Sequence, residues 1–97
     1  MTDALAPYTA TTDVATILAE RGKNYGSFVG QALIAERVSK AMECPGWDRL
    51  AVDQKHALRV IADKIARMLN GNPDYIDNWA DIAGYATLVV RRLEGAK

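Results

Sequence analysis

The sequence is short of the residues that build a large apolar core. It has one phenylalanine, two tryptophans and four tyrosines among 97 residues, so bulky packing groups are few. Alanines are many, which points to thin helices approaching one another closely. A core that thin in a chain this short commonly gains stability by self-association, and a homodimer is the expectation. Cysteine occurs once, at Cys44, which excludes an intramolecular disulfide and fits a reducing compartment. The only histidine, His56, lies in a different expected element, so no thiol–imidazole pair is indicated and Cys44 reads as structural or incidental.

No apolar run approaches the roughly 20 residues that span a bilayer. The N-terminal stretch MTDALAPYT also lacks a basic region followed by an apolar one. These two features give the expectation of a cytoplasmic protein without membrane contact. Charge of one sign is not in excess: twelve basic residues balance twelve acidic ones. A neutral chain with no basic face in its periodicity offers nothing to hold DNA or RNA, and a nucleic-acid partner ranks last. Alternation of period two and internal repeats are absent as well.

What is present is helical periodicity. The spacing predicts an all-α protein, a small bundle of four helices of which the first is short. Residues 1–11, aperiodic around Pro7, read as a loose arm, and residues 12–97 as one helical domain. Thr12 or Asp13 would cap a first helix closing at Arg21 and Gly22. Lys23-Asn24-Tyr25-Gly26 would form a loop, and Ser27 would cap a second helix reaching Glu43. The apolar face of that helix is Phe28, Ala32, Ala35, Val38 and Met42. Cys44-Pro45-Gly46 ends it. A third helix would begin at Asp48 or Asp53, carry Leu58, Ile61, Ala62, Ile65 and Leu69 on one face, and stop at Asn70-Gly71. Asn72-Pro73 would start the last helix. Its buried face is expected to be Tyr75, Trp79, Ile82, Ala86, Val89 and Leu93, with Gly84 marking a close crossing at a dimer interface.

Three carboxylates of the last helix carry the chemistry. At about 100° per residue, Asp74, Asp77 and Asp81 fall in one narrow stripe beside the apolar face. Like charges three and four apart repel by roughly 0.2–0.5 kcal/mol per pair, and a cation would remove that cost. One reading makes Asp63, Asp77 and Asp81 ligands of a Mg²⁺ ion, which takes one or two carboxylates and fills its shell with water and phosphate oxygens. The other is a structural network, with Asp81 paired to Lys64 or Arg67 across the turn. Among the cations, Lys64 and Arg67 lie three apart on the third helix. Arg21 and Lys23 flank a glycine-bounded turn that leads into a helix N-terminus, a place suited to anions. Arg21, Lys23, Lys64 and Arg67 are therefore the candidate phosphate-binding residues. No catalytic residue can be assigned.

Arg21 with Tyr25-Gly26, then Lys64-Ile65-Ala66-Arg67, then Asp77 with Asp81-Ile82-Ala83-Gly84-Tyr85, resembles a group of small phage and prophage proteins. The likeness runs over about residues 20–90, and Asp-Ile-Ala-Gly-Tyr is its most specific part. More remotely, a pair of carboxylate-bearing helices is similar to the MazG-type all-α nucleoside triphosphate pyrophosphohydrolases. That resemblance implies a dimer hydrolysing nucleotides to monophosphate and pyrophosphate with Mg²⁺. By position, Asp77 and Asp81 match that family's acidic pair, and Asp63 stands where its earlier helix brings several glutamates. Lys64 and Arg67 occupy a stretch that is acidic in that family. The expectation is a nucleotide-handling protein, either such an enzyme or a degenerate nucleotide binder. The alternative is a non-catalytic phage interaction protein that modulates a host or defence factor through a helical surface.

Overall fold

The computed structural model describes residues 11–95. Among them are four α-helices and no strand: α1 (Thr11–Tyr25), α2 (Phe28–Met42), α3 (Val52–Asn70) and α4 (Ile76–Leu93), with a 3-10 turn over Pro45–Arg49. The chain is all-α, as its periodicity indicates. The arm expected over residues 1–11 lies, apart from Thr11, outside the described residues. No described helix is long and apolar enough to cross a membrane.

Local chemistry explains most of the helix ends. Ser27 caps α2 as expected, its hydroxyl accepting from Gly30 N at 3.0 Å. Thr12 and Asp13 lie within α1, which already includes Thr11, and so do not cap it, and three further boundaries differ. First, α1 is not short: it runs through Gly22 to Tyr25, and the left-handed residue that ends it is Gly26 at φ +76. Second, neither Asp48 nor Asp53 caps α3. Ala51 takes that position, and the Gln54 side chain accepts from its N–H at 2.8 Å. Third, α4 does not begin at Pro73. The Asn72 side chain accepts from Asp74 N at 2.9 Å and closes a turn first, so the helix opens at Ile76.

Helix α3 is the central element, with α2 and α4 packed along it and α1 touching α2 and α3. The pair α3–α4 is antiparallel, joined by Lys64–Asp81 at 2.8 Å and Asp53–Arg92 at 2.7 Å. The buried apolar residues are Ala57, Ala62, Ala66 and Met68, all on α3. With neighbours on two sides, α3 buries alanines that admit close helix approach, and its leucines are displaced outward.

The apolar faces read from the sequence are therefore only partly covered. Phe28 is 71% exposed, Leu69 70%, Trp79 55% and Leu93 61%, while Asn78, in none of those faces, is 1% exposed. The two ion pairs show how α4 is rotated. Asp81 and Arg92 share one edge of α4, and reaching α3 with both turns that edge inward. Asn78, Ile82, Tyr85 and Val89 follow it onto α3, and Trp79, Ala86 and Leu93 roll out to the surface. The radius of gyration, 16.4 Å, exceeds the roughly 12–13 Å of a compact domain this long. Gly84 lies on the outer side of α4, where an added Cβ would meet nothing within 4 Å, so it marks no close crossing within the chain.

The Arg92 guanidinium holds Asp53 below its ordinary carboxyl value of 3.8, chiefly by hydrogen bonding. A depressed carboxyl pKa contributes stability above the unfolded value, and that contribution is lost as pH falls through the folded one. Wild type is thus expected to melt higher than Asp53→Asn at neutral pH, with the gap closing below pH 3.8. Paired thermal melts across that range check it.

Candidate functional site

Among the described residues the two buried polar side chains, Gln31 and Asn78, lie at one corner. The end of α1, the start of α2, the C-terminal half of α3 and the first turns of α4 all meet there. Asn70 joins the first three. Its Nδ2 donates to Tyr25 O at 2.7 Å and Ser27 O at 2.8 Å, bridging the α1–α2 turn to the last residue of α3. Asn72 N donates to Asn24 O at 2.7 Å. A Cβ on Gly26 or Gly71 would collide with the opposing backbone, at Asn70 and at Asn24 and Tyr25 respectively. The two turns are in direct contact.

Gln31 lies inside this frame, 4% exposed. Its Nε2 donates to Asp63 Oδ1 at 3.0 Å, and its Oε1 accepts from Arg21 Nη2 at the long distance of 3.5 Å. Asp63 Oδ2 stands 3.1 Å from Arg67 Nε, near enough for an ion pair but without the alignment of a hydrogen bond. The guanidinium groups of Arg67 and Arg21 lie 4.6 and 5.0 Å from the centre of the Tyr25 ring. Tyr75 meets Tyr25 edge-on at 5.9 Å. The Asp77 carboxylate accepts a hydrogen bond from the Tyr75 phenol and raises its pKa above 10.0. Two recesses flank Arg21. One, of about 260 Å³, is lined by Gly26, Ser27 and Gln31 at the start of α2. The other, of about 310 Å³, is lined by Asn24, Tyr25 and Tyr75.

Of the expected phosphate-binding residues, Arg21 and Arg67 meet at this corner over the Tyr25 ring, whereas Lys64 turns to Asp81 and Lys23 is exposed and takes no part in the network. The carboxylates are dispersed. Adjacent residues on a helix diverge by about 100°, so Asp63 turns to Gln31 and Arg67 while Lys64 turns to Asp81 on α4. Asp77 is beside Tyr75. Among the described residues no three of His, Cys, Asp and Glu are grouped to hold a metal ion. Asp63, Asp77 and Asp81 therefore do not fit a shared Mg²⁺ centre, since each already has its own partner. The acid–base pairing across the turn, Asp81 with Lys64, is present.

Asn78 was not a candidate in the sequence, and neither of its amide atoms is hydrogen-bonded within the protein. An unpaired buried amide costs about 1–3 kcal/mol, so such a group calls for a reason. The α3–α4 register set by Lys64–Asp81 and Asp53–Arg92 puts Asn78 level with Arg67, whose Nε also lacks a hydrogen bond. Gln31 and Asn78 did leave a signal. Gln31 is in phase with Ala35, Val38 and Met42, and Asn78 with Tyr75 and Ile82, so each is a polar residue at an apolar position of its helix.

Outside this corner the remaining candidates are plain. Cys44 is exposed. Arg59 lies over the half-buried Trp47 ring at 4.9 Å, and exposed His56 meets Tyr85 edge-on at 6.2 Å. No curated protein and no solved structure matches the chain. Residues 10–92 match DUF6378, a domain of unknown function, and the chain belongs to that family.

Proposed function

We propose that this protein binds a nucleoside polyphosphate at the polar corner. One observation carries the reading: Arg21 and Arg67 converge on the Tyr25 ring, beside the buried Gln31 and with Arg67 Nε left unpaired. The phosphates lie beside Arg21 and the free amides at the start of α2, in the recess lined by Gly26, Ser27 and Gln31. The base lies against Tyr25 and Tyr75 in the adjoining recess, where an aromatic face accepts any base. Arg67, steadied by Asp63, shares the Tyr25 ring with Arg21, while Lys64 stays paired with Asp81 outside the recesses. In this reading the protein is a degenerate nucleotide binder, and Mg²⁺ accompanies the polyphosphate without a three-carboxylate seat on the chain.

Thermal melts with ATP, dATP and inorganic pyrophosphate, each with and without Mg²⁺, test it. A ligand at a hundred times its Kd stabilises by about 2.7 kcal/mol, which for a domain this small raises the midpoint by more than roughly 10 °C. Arg21→Gln is expected to remove most of that rise. No rise with any of the three at millimolar concentration discards the proposal, and pyrophosphate release from ATP would replace binding alone with hydrolysis.

A second reading, an interaction protein acting on a host or defence factor, draws on different residues. Val29 and Leu33 of α2 are each more than half exposed and line neither recess. Surface substitutions there would leave the nucleotide response intact and remove the biological effect.

A further inference from the structure

We infer that Gln31 is the positioning residue of the recess at the start of α2. It steers the Arg21 guanidinium with a neutral oxygen and keeps the Asp63 carboxylate behind it, so that the charge of Arg21 stays open to an anion. The inference rests on the reading of that recess as a phosphate site. Among the described residues that line it, Arg21 is the one charged side chain. Arg67 and Lys64 each stand beside a carboxylate, Asp63 and Asp81. Arg21 instead meets two neutral groups, Gln31 Oε1 and the Tyr25 ring.

The orientation of the Gln31 amide is forced. A carboxylate can only accept, so Asp63 Oδ1 takes the Nε2 end at 3.0 Å and the Oε1 end must face the other way, to Arg21. At 4% exposure the side chain has no solvent to turn to. Arg67 neutralises Asp63 from its other oxygen, at 3.1 Å. The order from α3 to the recess is therefore a cation, an anion, a neutral dipole and a second cation. Asp53 and Arg92 show what a carboxylate at position 31 would do. There two donors of the guanidinium are taken by one carboxylate, at 2.9 and 2.7 Å, and the two charges cancel. The single contact of 3.5 Å from Gln31 guides Arg21 and leaves its other donors for phosphate oxygens.

The test has two arms, the first without ligand. In NMR spectra of the free protein the Arg21 guanidinium is expected to rotate more slowly than that of exposed Arg37. Gln31→Met is expected to abolish that difference, while Arg67, held by Asp63, keeps its own slow rotation. In the second arm inorganic pyrophosphate is titrated into wild type and Gln31→Glu by calorimetry, with circular dichroism as the check on folding. The charged groups facing position 31 are Arg21 of α1 and Asp63 of α3, with Arg67 behind Asp63. On α4, Asp77 and Asp81 are engaged by Tyr75 and Lys64. A glutamate at 31 meets Asp63 as a like charge, which raises its pKa, and once protonated it has the shape and polarity of glutamine. Compared with wild type at the same pH, Gln31→Glu is expected to bind at least about tenfold more weakly at about pH 8 and to recover most of that loss at about pH 5. Equal affinity at both pH values, or a loss that pH does not relieve, overturns the inference. So does an Arg21 guanidinium as mobile as Arg37 in wild type, a result that needs no variant to fold. A wild type that ignores pyrophosphate fails the nucleotide reading instead, and the ligand-free spectra then decide the positioning by themselves.

Discussion

Alanine at Gly26 is expected to cost at least about 3 kcal/mol. Three terms add. Gly26 is left-handed at φ +76, a conformation that costs an L-residue about 1–2 kcal/mol. Its Cβ would run into the backbone carbonyl of Asn70, so the α1–α2 turn must lift from the end of α3. Lifting it breaks the Asn70 bonds to Tyr25 O and Ser27 O, each worth about 1 kcal/mol. A small domain has only about 5–10 kcal/mol to lose, and the denaturant midpoint should fall by a third or more.

The opposite sign is expected at the two helical glycines with open surroundings. Gly22 lies inside α1 and Gly84 inside α4, and a Cβ at either would meet nothing within 4 Å. Alanine there relieves the helix of a glycine and stabilises by about 0.5–1 kcal/mol. One substitution at three glycines thus separates tertiary contact from helix propensity. Equal effects at Gly26 and Gly22 would show that the α1–α2 turn does not rest on Asn70.

The second large effect is expected at Asn78. Leucine has the same branched skeleton without polar atoms. Since both amide atoms of Asn78 are buried without a partner in the protein, Asn78→Leu is expected to raise stability by about 1–2 kcal/mol. Chemical denaturation decides it. A loss of stability would mean that its amide is satisfied in the folded chain.

The contrast between Asp63 and Asp81 shows how a single residue step decides what a charge can do. The sequence groups Asp63, Asp77 and Asp81 with Lys64 and Arg67 as acids and bases of one groove. In the fold, Asp63 faces α2 and Asp81 faces Lys64, so the groove becomes two separate pairs. The metal reading depended on which way neighbouring positions of α3 pointed, and only a partner helix determines that.

Much of the architecture is local and therefore legible without coordinates. Ser27, Pro45-Gly46 and Asn70-Gly71 act through their own backbone preferences, so they punctuate the helices whatever surrounds them. The tight turn after Asn70 makes α3 and α4 antiparallel neighbours, and Lys64 opposite Asp81 follows from that. What the tertiary structure alone decided is which half of each apolar arc is covered and which backbone segments touch. Periodicity measures the width of an arc but not its rotation, and in the fold α4 is turned so that Asp81 and Arg92 reach α3. The contact of Gly26 and Gly71 with backbone more than forty residues away leaves no mark in either neighbourhood, because the cause of the constraint lies elsewhere in the chain.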